Sequence, residues 1–224
     1  MDPEWVASTH EWVVVNKPPG WLVIAPSPSV QDSGREPAPV LTHWVQARLD
    51  TEGPGAKVWI VHRIDQGTSG LVLFAKTKEA HRKANLWFET HQAKKIYLLA
   101  ATGVSTSPSF SLNTLISGQE AQTQVRIVRQ YPAAFLAEAR IVTGRRHQIR
   151  IHLLGRGHPL LGDIKYKGPQ FFGEWAVKRP LLHAWKLELP SGEKWEVPPP
   201  QDFTDVVDLL ERSALTVEKV GTHE

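Results

Sequence analysis

The residue whose surroundings most suggest chemistry is Asp65, in the stretch Val61–Thr77, VHRIDQGTSGLVLFAKT. His62 and Arg63 are its titratable or charged neighbours on the N-terminal side. Gln66, Gly67, Thr68, Ser69 and Gly70, on the other side, favour turns and caps. Leu71, Val72, Leu73, Phe74 and Ala75 follow without interruption, and so short an apolar run predicts a buried strand. One carboxylate thus sits in a tight loop at the mouth of a core strand, beside cations. Two readings are open. A rigid scaffold holding a lone acid beside cations is a common way to build a reactive site. An Asx-turn, in which the aspartate bonds the backbone at Gly67 or Thr68, needs no reaction at all.

A second constellation is cationic. Between Ala139 and Gly173 stand Arg140, Arg145, Arg146, Arg150, Arg156, Lys165 and Lys167, against the one acid Asp163. The whole chain carries only +3, so this block is set in an otherwise acidic sequence, and Glu188–Glu224 holds nine acids to three bases. Such a block suits a localised polyanion-binding face; a solvated basic surface is the other reading. His147 and His152 do not align on a helix, and no HExxH or second ligand cluster accompanies them, so no metal is expected. Around Ser69 the order is Gly67-Thr68-Ser69-Gly70-Leu71, with leucine rather than glycine two after the serine, which does not fit a hydrolase nucleophile elbow.

Composition narrows the class. With 224 residues, 41% of them hydrophobic, the chain can bury one sizeable core or two small ones. The lack of cysteine excludes disulfides and cysteine-ligated metal and fits a reducing compartment, so a cytoplasmic location is expected. MDPEWVASTHEWVVV has no apolar signal core, and no apolar run reaches the length of a membrane span.

The elements that must position these residues follow from periodicity. Glu11–Ala25 predicts two short strands, Trp12–Val15 and Trp21–Ala25, around a turn at Pro18-Pro19-Gly20, with Lys17 exposed at the loop and without chemistry. Pro26–Pro39 is a Pro/Ser-rich loop. Val40–Asp50 predicts a helix with Leu41, Trp44, Val45 and Leu49 at helical spacing and Thr42 as its cap. Thr77–Gln92 is the clearest helix, with Ala80, Ala84, Trp87, Phe88 and His91 on one face. Ala93–Thr102, Gln122–Gln130, Ala133–Val142 and Pro180–Leu189 predict strands, and Gly103–Gly118 a loop or loose hairpin. Arg145–Leu154 predicts a helix placing Arg146 and Arg150 one turn apart, and Asp202–Arg212 a short helix with Phe203, Val206, Val207 and Leu210 inward. Ser213–Glu224 is expected to fray.

HRIDQGTSGLVLFAKT resembles the signature of the RluA-type pseudouridine synthases, H-R-L-D-x-x-T-S-G followed by an apolar strand and A-K, with Ile64 in place of the leucine. The resemblance extends over about Glu11–Phe203. The segment around Asn16-Lys17-Pro18 is similar to the family's N-KP-x-G block, and Lys95, Tyr97 and Ala100 to its K-x-Y-x-A pattern, apart from Leu99 standing before the alanine. TGRRHQIRIHLLGRGHPLLGD resembles T-G-R-T-H-Q-I-R-x-H-L ending in G-H-P-I-x-G-D, with Arg146 where Thr or Ser is common. GDIKYKG is similar to the G-D-x-x-Y-G turn, with Lys167 inserted.

The resemblance implies an α+β fold: a curved, mostly antiparallel mixed β-sheet with flanking helices and a central catalytic cleft, the pseudouridine synthase fold. It implies one catalytic domain over residues 1–224, with a core of about 11–212 and no N-terminal S4 domain. It makes Asp65 the catalytic carboxylate, Tyr97 an active-site tyrosine, Arg150 the cation that pairs with Asp65, and Arg63 the residue that fills the stack vacated by a flipped base. Arg145, Arg146, His147, Lys165 and Lys167 are the expected RNA-binding residues. The expected partner is structured RNA, ribosomal or transfer; no cofactor, metal or membrane is expected, and the protein is expected to be a monomer. A non-catalytic RNA-binding or RNA-folding protein on the same scaffold is the second hypothesis; joint retention of Asp65, Tyr97 and Arg150 argues against it. Specificity is expected to lie in loops such as Ser27–Pro39 and Val104–Gly118.

Overall fold

The computed structural model describes residues 1–26, 37–53, 57–172 and 175–220. In chain order the elements are β1 (Glu4–Ser8), β2 (Trp12–Lys17), α1 (Leu41–Glu52), β3 (Trp59–Ile60), β4 (Ser69–Ala75), α2 (Lys78–Glu89), β5 (Lys94–Thr102), β6 (Ser109–Leu112), β7 (Thr123–Gln130) and β8 (Ala134–Ile141). They continue with α3 (Gln148–Gly155), β9 (Phe171–Phe172), β10 (Trp175–Ala176), β11 (Leu182–Glu188), β12 (Lys194–Glu196) and α4 (Gln201–Val220). The fold is α+β, and the pairings β1–β2, β2–β4, β3–β4, β5–β8, β8–β7, β7–β6 and β9–β10 are all antiparallel. A parallel contact occurs at the isolated bridge Leu22–Val40. Two compact units divide the chain: residues 1–93 with 187–197, and residues 94–186 with 198–224.

The first unit is built on β4. Every residue of that strand is buried, as its uninterrupted apolar run predicts. β2 pairs along it from Trp12–Ala75 to Lys17–Gly70. Trp12, Val14, Leu71, Leu73 and Ala75 then pack with Ala80 and Ala84 of α2. α2 begins where Thr77 caps it, its Oγ1 accepting the Ala80 N–H at 3.1 Å. It stops at Glu89, so His91 lies beyond the helix, exposed and in the left-handed region (φ 60°), rather than on its core face. α1 buries Leu41, Val45 and Leu49, but its N-cap is Val40, without a side-chain bond, and Thr42 lies inside the helix. The strand predicted over Trp21–Ala25 does not form. β1 takes the edge of β2 instead, and the Leu22 carbonyl accepts the N–H of Leu41 at 2.8 Å.

The second unit orders its strands β5–β8–β7–β6, with Tyr97 opposite Ala139 and a bulge in β7 between Ile127 and Arg129. Its core joins Ala100, Ala134, Leu161 and Leu181 to Phe203, Val206 and Leu210 of α4. Phe203 and Leu210 are fully buried, and each contributes about 2–3 kcal/mol of apolar transfer. Arg179 clamps the start of α4, donating from Nε and Nη2 to Asp202 at 2.5 and 2.9 Å. α4 runs to Val220, longer than the helix predicted and through most of the segment expected to fray. α3 starts at Gln148, three residues later than its apolar spacing predicts.

Candidate active site

In the first unit the acid sits on a loop fixed through its backbone. Asp65 is half-buried, between exposed Arg63 and buried Thr68 and Ser69. The Thr68 N–H donates to the Asp65 carbonyl at 3.1 Å, and the Gly20 N–H to the Gln66 carbonyl at 2.8 Å. Lys17 organises this region. It is fully buried rather than exposed, and its Nζ donates to the carbonyls of Pro18 (2.9 Å), Trp21 (2.9 Å) and Gln66 (3.1 Å). A buried ammonium is tolerated only where such acceptors surround it. The donors of one side chain thus tie the Pro18–Trp21 turn to the residue after Asp65. His62 braces the approach: its Nε2 accepts the Leu73 N–H at 3.0 Å, and its ring stacks on Phe88 at 5.0 Å.

In the second unit the cation sits among side chains. Arg150, on α3, is buried and forks the carboxylate of Asp163, Nε to Oδ2 at 2.6 Å and Nη2 to Oδ1 at 2.7 Å. Asp163 is itself fully buried and also accepts the Tyr166 N–H, capping a single 3-10 turn over Ile164–Tyr166. Tyr166 gathers the site: Arg150 lies over its ring at 4.9 Å, Lys165 at 5.8 Å, and its hydroxyl shares a 2.8 Å hydrogen bond with His147 Nδ1.

Gln148 sets the turn carrying Arg145, Arg146 and His147. Its Oε1 accepts from the Thr143 hydroxyl (2.7 Å) and the Arg145 N–H (3.0 Å), and its Nε2 donates to the Gln122 carbonyl and Thr123 Oγ1. His152 continues this network between Thr123 Oγ1 and the Thr114 carbonyl, both at 2.9 Å, which makes it a structural brace. Among the described residues no group of three or more His, Cys, Asp or Glu could hold a metal ion.

The remaining sequence candidates fall as follows. Tyr97 is buried in β5 and Lys95 precedes it by two residues in the same strand. Burial pushes the Lys95 amine down from its usual range to about 8. Arg145, Arg146, Lys165 and Lys167 are exposed; Arg145 donates to the Glu120 carbonyl, and Arg146 lies before α3 rather than one helical turn from Arg150. Val104 is exposed, while most of Ser27–Pro39 lies outside the described residues. Sequence reasoning missed Lys17, Gln148, Asp163 and Tyr166. For Gln148 and His152 a signal existed, their i, i+4 spacing on the buried face of α3.

The fold is shared with solved structures of pseudouridylate synthases. Human RNA Pseudouridylate Synthase Domain Containing 4 superposes with a TM-score of 0.73 at 20% identity over 92% of both chains. Human RNA Pseudouridylate Synthase Domain Containing 1 does so with 0.66 at 23%, over 90% of this chain and 84% of that one. The chain belongs to the RNA pseudouridylate synthase family, whose model matches residues 11–154. It is 30% identical to ribosomal large subunit pseudouridine synthase D of Pseudomonas aeruginosa over 94% of this chain and 72% of that protein. It is 32% identical to the dual-specificity RNA pseudouridine synthase RluA of Escherichia coli over 85% of this chain and 90% of that protein. It spans about half the length, 51%, of the Nitrosomonas europaea synthase D, at 35% identity. Members of this family are isomerases.

Proposed function

We propose that the chain isomerises a specific uridine of ribosomal or transfer RNA to pseudouridine, with residues of about 11–212 acting as one catalytic domain. The observation that carries this reading is the half-buried Asp65 on a loop braced by the buried ammonium of Lys17. The reaction breaks the N1–C1′ bond, turns the uracil and joins C5 to C1′. The C5 proton leaves and N1 regains one, so nothing is consumed and no cofactor is called for. The target base is first turned out of its stack, and the exposed guanidinium of Arg63 fills the space. Asp65 acts at the sugar, by attack at C1′ or by removing the proton at C2′. Tyr97 stacks on the uracil and assists loss of the C5 proton. In this reading Arg150 is the cation that aims Asp65. The two bonds of the Asp163 fork hold that guanidinium in one orientation.

Arg145, Arg146, His147, Lys165 and Lys167 grip phosphates, so affinity falls with salt. In this reading the protein works as a cytoplasmic monomer on structured RNA; among the described residues no helix is long and apolar enough to cross a membrane.

The test is tritium release from ribosomal and transfer RNA transcripts labelled at uracil C5. The wild type releases tritium, and Asp65→Asn releases none while binding the same RNA with nearly unchanged affinity. Product from Asp65→Asn overturns the role of Asp65. Wild-type binding without release favours a non-catalytic RNA-binding protein.

A further inference from the structure

The two-residue strands β9 and β10 form a small ribbon in the second unit that the reaction leaves without a task. Phe171 is 62% exposed and Trp175 58% exposed, unusual values for rings of that size. Register pairs Phe171 with Ala176 and Phe172 with Trp175, so the two exposed rings project from opposite faces of the ribbon. Phe172 packs against the core beside buried Val177, and the Val177 N–H donates to the Gln170 carbonyl at 2.7 Å.

The root of the ribbon is tight. A Cβ at Gly168 would meet the Leu160 carbonyl at 1.9 Å, and one at Gly162 (φ 77°) the Arg179 carbonyl at 2.0 Å. The same segment carries Tyr166, on which Arg150, His147 and Lys165 converge. Lys165, Lys167 and Lys178 are exposed around it, and over 164–178 the sequence opposes them with one acid, Glu174.

We propose that this ribbon is a base-stacking finger for the RNA substrate: Phe171 and Trp175 stack on unpaired bases outside the target uridine, and Lys165, Lys167 and Lys178 hold the adjoining phosphates. Exposed aromatic faces interleaved with lysines match a polyanion that carries π-faces. Protein interfaces also favour aromatic rings but are depleted in lysine, so the three lysines favour RNA over a protein surface. The inference rests on the RNA-modifying reading above.

The experiment uses the full chain with large-subunit ribosomal and transfer RNA transcripts labelled at uracil C5, and follows equilibrium binding, single-turnover tritium release and thermal unfolding. The double variant Phe171→Ala/Trp175→Ala raises Kd by roughly tenfold or more, with the salt slope and the release rate at saturating RNA nearly unchanged. Phe171→Tyr/Trp175→Phe restores binding, because a ring remains at each position. Lys178→Gln lowers the salt slope. Alanine-variant affinity within about twofold of wild type overturns the proposal, as does failure of the aromatic variant to restore it. Altered self-association without loss of RNA binding likewise overturns it and makes the face a protein contact. If the wild type binds RNA but releases no tritium, the enzymatic reading fails while the binding comparison still decides the finger.

Discussion

The loop of Asp65 and the surroundings of Arg150 are held by different kinds of bond. Around Asp65 the acceptors are backbone carbonyls, those of Pro18, Trp21 and Gln66, drawn together by one lysine. Around Arg150 the partners are side chains, the carboxylate of Asp163 and the ring of Tyr166. Backbone carbonyls are present whatever the residue, so the geometry of the acid depends on Lys17 and on the path of the chain. The geometry of the cation depends on the identity of residues 13 and 16 positions further on. The two regions should therefore fail differently when single residues are changed.

The largest effect is expected in the second unit. Asp163→Ala strips a buried guanidinium of its carboxylate and costs about 3–5 kcal/mol of stability, measured by urea unfolding. It also removes the cap of the 3-10 turn carrying Tyr166. Asp163→Asn keeps the shape and loses the charge, and should fall between alanine and wild type. Equal stability for all three proteins would mean that Arg150 is not held as described. Next comes Lys17→Met in the first unit. It withdraws three charge-assisted donors from buried or part-buried carbonyls, at about 2–4 kcal/mol. Because those bonds hold the loop of Asp65 and not the RNA, kcat should drop while Kd for RNA stays within a few-fold. A fall in binding alone would place Lys17 in the RNA-binding surface instead.

How far these two regions could be read from the sequence follows the same division. The Asp65 loop, the buried strand after it and helix α2 rest on local signals, and the structure has them where the residues point, although Thr77 caps α2 rather than opening it. Lys17 does not: a lysine between a strand and two prolines reads as exposed, and its third acceptor, Gln66, lies 49 positions away. The helix of Arg150 begins late for a related reason. Its first residue, Gln148, turns its side chain back to the Arg145 N–H, while Thr143, Gln122 and Thr123 complete its bonds. His147 takes the left-handed conformation before it (φ 57°), so the apolar spacing of Ile149, His152 and Leu153 is helical but that of Arg146 is not. Asp163 stands out in the sequence as the one acid in a basic block and as the aspartate of the GDIKYKG turn. Nothing local shows that it would be buried against Arg150. The strand predicted at Trp21–Ala25 is apolar enough, yet β2 is already flanked by β1 and β4.

A pH experiment sharpens the contrast with a third buried cation. The Lys95 amine is lowered from 10.5 to about 8 by burial, so between those values the unfolded chain holds a proton that the folded chain has lost. Stability then rises with pH across that window, and below about 8 the folded protein bears the cost of the buried charge. Comparing urea unfolding of wild type and Lys95→Met at pH 8, 9 and 10 isolates this slope, since the remaining titrations are common to both. The wild type should gain about 2–3 kcal/mol relative to the variant over the interval. Parallel curves would show that the amine titrates normally.

The smallest expected effect tests which part of Tyr166 serves Arg150. Tyr166→Phe removes the hydroxyl that meets His147 Nδ1 at 2.8 Å and keeps the ring beneath the guanidinium at 4.9 Å. One part-buried hydrogen bond is worth about 0.5–1.5 kcal/mol, and that loss of stability is expected with tritium release reduced by no more than a few-fold. Tyr166→Leu, which removes the ring as well, should reduce release further, because the face against which Arg150 packs is gone while the Asp163 fork remains. If phenylalanine and leucine are equally impaired, the hydroxyl and His147 position Arg150 and the ring does not. The cation would then be held by hydrogen bonds alone, and the two regions would differ less than their geometry suggests.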